Sequence, residues 1–179
     1  MLKYSHLIDP LQWAQLVLRS TPARWTSLAE SLPEELLSYE PSPGEWSALS
    51  CLKHLVDTER HVFPARVGHF LIGQDFPAFN PDAEGSARQA GGDMGSMAEE
   101  FRRLRAESLI ALGAVSRQDL ERTAHHAELG LVSLGEMIHE WAAHDLNQTI
   151  QAERAMMQPF IAGSGPWEIY FKDHFITRR

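Results

Sequence analysis

The chain has 179 residues, 44% of them hydrophobic and 22% charged, the size and make-up of one globular domain with a substantial core. A net charge of −8 gives no general attraction to phosphate backbones or anionic lipid, which argues against nucleic-acid binding through a broad basic face. Its one cysteine cannot form an internal disulfide, which suits a reducing, cytoplasmic setting, and no run of about 20 apolar residues offers a membrane span. Residues 1–6 are too polar for the apolar stretch of a signal peptide.

A first helix is predicted to start at Asp9, a good N-cap, with Pro10 at the first helical position. Leu11, Ala14, Leu18, Trp25 and Leu28 then recur at helical spacing, and Pro22 inside the run predicts a kink or break around Ser20 and Thr21. Residues 39–46 read as a linker, since Pro41, Pro43 and Gly44 cannot continue a helix. A second helix follows the N-cap Ser47 and runs to about Ile72, with Leu49, Leu52, Val56, Phe63, Val67 and Phe70 on one stripe. Pro64 predicts a bend near Arg60. Cys51 lies in this apolar stretch with no cation beside it, as expected of a buried, inert thiol. On a regular wheel His54 falls almost opposite the stripe, with Asp57 and His61 on the same flank.

Residues 73–95, with Pro77, Pro81, Gly85, Gly91 and Gly92, read as a long crossover or a functional loop. A third helix over residues 96–116 turns Phe101, Leu104, Leu109 and Leu112 inward. Arg102, Arg103 and Arg105 are surrounded by Glu99, Glu100 and Glu107, the pattern of a solvated helix face. A polar connection over residues 116–130 carries His125 and His126, expected in solvent, and no strand pattern stands out. The fourth helix opens with the S-x-x-E spacing of a capping box at Ser133 and Glu136 and runs to about Met157. Residues 159–179 then form a C-terminal arm with a short aromatic segment that packs back on the bundle. There is no glycine-rich phosphate loop and no Ser-His-Asp nucleophile arrangement.

Chemistry concentrates on the fourth helix. Leu134, Ile138, Trp141 and Met156 make its inward stripe, Asp145 falls near the middle of it, and His144 and Gln148 lie on its flank. His139 points away. A carboxylate, an imidazole and an amide on a buried side are costly unless they pair with one another or bind something, and the pattern alone leaves both readings open.

Three motifs carry a resemblance: Gly44-Glu45-Trp46-Ser47, Lys53-His54-Leu55-Val56-Asp57-Thr58-Glu59, and His144-Asp145-Leu146-Asn147-Gln148-Thr149-Ile150-Gln151. With residues 101–105 and the His125-His126 turn, they resemble the DinB/YfiT-like superfamily over most of the chain. The resemblance implies an all-α, four-helix bundle in a single domain over residues 1–179, with a long crossover between helices 2 and 3, often as a homodimer. It also implies a divalent metal, zinc or nickel, held by three histidines. One carries over to His54, which the resemblance turns inward, as it would be if the second helix were buried on two sides with part of it in a dimer contact. The fourth helix supplies the others as an H-x-x-x-H pair; the first carries over to His144, and the second position holds Gln148 instead. An amide oxygen is a weak ligand for zinc or nickel, so the site is expected to be weakened, retuned to an oxygen-preferring ion, or absent. Glu59, His61 and Gln151 are further candidate ligands, and Asp145 or Glu59 would orient a ligand or act as a base. The superfamily includes metal-dependent transferases and isomerases that use low-molecular-weight thiols, which makes one expected function an enzyme on a small molecule. The other is a metal-free, ligand-binding or stress-related dimer, in which Gln148 would hydrogen-bond His144 or Asp145 in a dry core.

Overall fold

The structure is a computed structural model, and it describes residues 9–78 and 92–176. The N-terminal stretch and the middle of the expected crossover, with Pro81, Gly85 and Gly91, lie outside the described residues. Helix α1 spans Pro10–Ser31, with the Asp9 side chain accepting from the Leu11 N–H at 3.1 Å. It does not break at Pro22. Proline lacks the N–H that would reach the Leu18 carbonyl, and that oxygen accepts instead from Arg105 Nη1 at 2.9 Å. One turn, α2 (Glu34–Leu37), seats Leu37 in the core before the linker.

The expected second helix divides into α3 (Ala48–His61) and α4 (Phe63–Ile72) at Val62, whose φ and ψ are −113° and −76°. Pro64 sits in the first turn of α4, where a missing N–H does least harm, so the sequence accommodates it by a break rather than a bend. Gly73, at φ 70°, closes α4 in the left-handed conformation that lets Gln74 N–H reach the His69 carbonyl at 2.9 Å. Helix α5 is Met94–Gly113, capped by Asp93 on the Ser96 N–H at 2.8 Å.

The polar connection, in which no strand was expected, holds a hairpin. A 3-10 segment, Gln118–Glu121, leads into strands β1 (Thr123–His126) and β2 (Gly130–Ser133), an antiparallel pair in which Thr123 faces Ser133 and His126 faces Gly130. Strands of four residues are too short to leave a readable alternation in sequence. Helix α6, Leu134–Gly163, starts with the complete Ser133–Glu136 capping box and continues through Pro159 beyond its expected end. The arm after it is a 3-10 segment, Gly165–His174, tied to α6 where Arg154 Nε and Gln158 Nε2 donate to the His174 carbonyl.

Helix α1 packs on α5 and α6, and α3 packs on the same two helices, so the four make a bundle with α1 and α3 at opposite corners. Two apolar clusters fill it. Leu18, Phe63, Phe70, Leu112, Leu134 and Trp141 belong to one, and Trp25, Leu52, Leu55, Phe101, Ala152 and Met156 to the other. Between them lies a polar layer: Thr21 on α1, His54, Asp57, Thr58 and Glu59 on α3, Arg105 and Ser108 on α5, and Asp145, Gln148 and Thr149 on α6, all buried. Among the described residues no helix is long and apolar enough to cross a membrane.

Candidate metal and ligand site

The polar layer brings His54 and His144 together. Their Nε2 atoms lie 2.9 Å apart, although 90 residues separate them in the chain. His54 is 5% exposed, so its placement on the outer side of the wheel is corrected. Helix α3 is wedged between α5 and α6 and buries residues around most of its circumference, within one chain and without a second copy. Aromatic neighbours set the rings. The Trp46 ring meets His54 edge-on at 5.0 Å, and Phe63, stacked at 5.0 Å on Trp141, tilts against His144 at 5.3 Å.

Burial keeps both imidazoles neutral. Loss of water, with the His144 charge adding to it, pushes the His54 pKa from its usual 6.5 down to about 4. His144 is also lowered by burial, with Arg105 and Arg66 adding to the effect and Asp145 opposing it. Two neutral rings at 2.9 Å can share one proton-donating contact, or present two lone pairs to one cation.

Gln148 lies one turn beyond His144 on α6, is 6% exposed, and its Oε1 is buried without a hydrogen-bond partner. The expected bond from Gln148 to His144 or Asp145 is not made. An orphaned buried acceptor is the feature a cation would relieve, so two imidazole nitrogens and one amide oxygen fit a weakly held divalent ion. The other candidate ligands stay away. His61 is exposed at the end of α3, and Gln151 lines a separate cleft with Glu45, Asn147 and Arg154. No group of three or more His, Cys, Asp and Glu converges on a cation position among the described residues.

Asp145 and Glu59 are committed elsewhere. Arg105 donates from Nε and Nη2 to the two Glu59 oxygens at 2.9 and 2.8 Å, and from Nη1 and Nη2 to the two Asp145 oxygens at 2.6 and 3.1 Å. Thr21 Oγ1 donates to Asp145 Oδ2 at 2.6 Å, and the guanidinium lies over the Phe101 and Trp141 rings. Burial disfavours the Arg105 charge, but Asp145 and then Glu59 outweigh it and hold its pKa above the usual value. Neither carboxylate hydrogen-bonds to His54 or His144; both bind Arg105, and Asp145 reaches His144 only through its charge. Arg105 itself is 1% exposed rather than part of a solvated face. Its signal lay in the spacing Phe101, Arg105, Ser108, Leu112, a core stripe with an arginine in it.

The histidine pair opens onto a cavity of about 390 Å³ lined also by Phe63, Arg66, Phe76, His126, Met137 and Glu140. His126 is 7% exposed, not in solvent as expected: the alternation of β1 turns it inward while His125 faces out. Its Nδ1 accepts from the Glu128 and Leu129 N–H groups at 3.2 and 3.3 Å, which leaves the proton on Nε2. Cys51 is buried and its thiol is pushed up to about 12 by loss of water, which keeps it unreactive.

A family model described as the DinB superfamily matches residues 17–151. Among solved structures, the chain is similar to YfiT from Bacillus subtilis, described as a probable metal-dependent hydrolase with an unusual four-helix bundle topology. That similarity has a TM-score of 0.72 at 14% identity and covers 89% of this chain and 93% of YfiT. No curated protein sequence matches the chain.

Proposed function

The chain belongs to the DinB superfamily, and on that premise we propose that it is a metal-dependent enzyme acting on a small molecule, with His54 and His144 as nitrogen ligands and Gln148 as a weak third. The observation that carries this reading is the meeting of two neutral imidazoles at 2.9 Å on the wall of the cavity, with an unpartnered amide oxygen on the residue one helical turn beyond His144. Divalent zinc, nickel or a more oxygen-preferring ion would supply a Lewis acid able to lower the pKa of a water, for hydrolysis, or of a low-molecular-weight thiol, for transfer or isomerisation. The protein's own part is preorganisation. Burial keeps both histidines unprotonated, Phe63 and Trp46 fix their rings and exclude water, and Arg105 pins α6 through Asp145, the residue next to His144. Val62, Phe76, Leu129 and Met137 give the cavity an apolar lining for a substrate's body.

The test is retention of metal. Protein equilibrated with zinc, nickel, manganese or iron(II) and then desalted should keep one ion per chain by elemental analysis, and His144→Ala should keep none. Retention of no ion with any of the four sinks the reading. One observation favours a second reading, a metal-free ligand-binding bundle. The 2.9 Å spacing is already a hydrogen-bond distance, so one imidazole proton can stand where the ion would.

A further inference from the structure

Of the cations around the cavity, Arg66 is the unusual one. It lies on α4, half-buried, and its guanidinium stands 5.0 Å from the centre of the Phe76 ring. A guanidinium carries five N–H donors, yet no described residue accepts a hydrogen bond or forms an ion pair with Arg66. Arg60, Arg102, Arg103, Arg105, Arg117 and Arg122 all have carboxylate partners. Loss of water lowers the Arg66 pKa, with Glu140 pulling the other way, and the Arg66 charge is felt at His144 across the same cavity. A partly dehydrated cation with its donors unspent lacks an anion.

The platform under it is built. Phe76 is 5% exposed, is edge-on to Phe70 and His126, and is bridged to β1, where its N–H donates to the His125 carbonyl at 3.4 Å. Asp75 fixes the same junction by accepting from the His125 N–H at 2.8 Å. The side chain stacked on Phe76 is thus held in place before any ligand arrives.

We propose that Arg66 is the anion anchor of this cavity, binding the carboxylate or another oxyanion of a small amphipathic ligand whose apolar body lies against Phe63, Phe76, Val132 and Met137. This names the substrate class for the small-molecule reading above and rests on its cavity, while standing apart from whether an ion binds. Three glutamates also line the cavity. The carboxylate of Glu136 is spent on the Ser133 cap and Glu128 is exposed, while Glu140 loses enough water for its carboxyl to be pushed up, with the Arg66 charge pulling it down but no ion pair formed between them. Arg66 thus remains a half-buried cation on the cavity wall with no ion-pair partner among the described residues.

Calorimetry with benzoate, benzyl alcohol and benzylamine, rings of one size that differ in charge, tests this on metal-stripped protein and again after zinc addition. Benzoate should bind stripped wild-type protein about tenfold or more tighter than either analogue, and Arg66→Gln should lose that preference while still taking up zinc. Should Arg66→Gln not fold, phenylglyoxal labelling of wild-type protein read by peptide mass replaces it, with labelling of Arg66 slowed by benzoate and not by benzylamine. Tighter binding of benzylamine, benzoate affinity unaltered in Arg66→Gln, or no saturable benzoate binding overturns the proposal. So does benzoate binding that needs zinc and ignores Arg66, because the ion is then the anchor. Failure of zinc uptake with benzoate binding intact overturns the metal reading instead and leaves Arg66 in its role.

Discussion

His144 and Asp145 are neighbours on α6 and belong to opposite kinds of buried polar site. Around Asp145, every carboxylate oxygen of the Arg105 cluster accepts at least one hydrogen bond, and the arginine donates from all three nitrogens. Around His144, Nδ1 and the Gln148 Oε1 have no hydrogen-bond partner, and Nε2 meets another neutral imidazole. The two sites share depth and the helices that supply them. What differs is satisfaction: one cluster is a filled structural clamp, and the other leaves buried acceptors open. A buried ion cluster holds a fold together when its valences are filled, whereas an unfilled buried acceptor beside a cavity is tolerated where binding supplies its partner.

The largest effect should come from breaking the filled side. Arg105→Met leaves Glu59 and Asp145 facing each other, buried and unpaired, and frees the Leu18 carbonyl opposite Pro22. Stability should fall by about 3–5 kcal/mol in urea unfolding. A loss below about 1 kcal/mol would mean the carboxylates find other partners, and the contrast between the two sites would go.

Acid acts next, and on the other side. The folded-state pKa of His54 lies at about 4, below the 6.5 of an unburied imidazole. As pH falls below 6.5 the unfolded chain takes up a proton that the folded chain refuses, so stability declines with falling pH and levels off near pH 4. The drop for metal-free protein should be on the order of 3 kcal/mol, from about 1.4 kcal/mol per pH unit. His54→Phe should remove much of that slope in urea midpoints taken from pH 7 to pH 4.5. An unaltered slope would place the titration elsewhere.

The unequal legibility of these two sites in the sequence has a physical basis. Helix positions, caps and the apolar stripe were readable because helical periodicity and capping are local: Asp9, Ser47 and Ser133 all cap where expected. Asp145 announced itself as a carboxylate on an apolar face. Arg105 did not, because its neighbours Arg102 and Arg103 pair with exposed glutamates on the same helix, and one residue's turn of about 100° separates a surface pair from a core clamp. The helix does not break at Pro22 for a similar reason, since the carbonyl the proline leaves open is filled by Arg105 from α5. His54 could be placed only by resemblance, because a wheel assumes one buried face and α3 has several. Arg66 and His126 depend on a short hairpin that periodicity does not reveal.

Gln148→His sharpens the comparison by filling the empty side. An imidazole one turn from His144 restores three nitrogen donors, and zinc affinity should rise by about 100-fold, on the order of 2.7 kcal/mol, in competition with a chromophoric chelator. No gain would show that position 148 does not face the ion, and the donor set proposed here would have to change.

Gln148→Met carries the smallest expected effect and the clearest sign. The amide is 6% exposed and its Oε1 has no partner, so its burial forfeits hydrogen bonds to water without replacing them. Methionine has a similar length and nothing to satisfy, and metal-free protein should therefore gain about 1 kcal/mol. The same substitution removes the proposed oxygen ligand and should lower metal retention, so stability and binding move in opposite directions. At Arg105 an exchange for the same apolar residue is strongly destabilising, although both positions are buried in one layer. If Gln148→Met instead lowers the urea midpoint, the amide has a partner in solution, such as an ordered water, and the two neighbourhoods are alike in being filled.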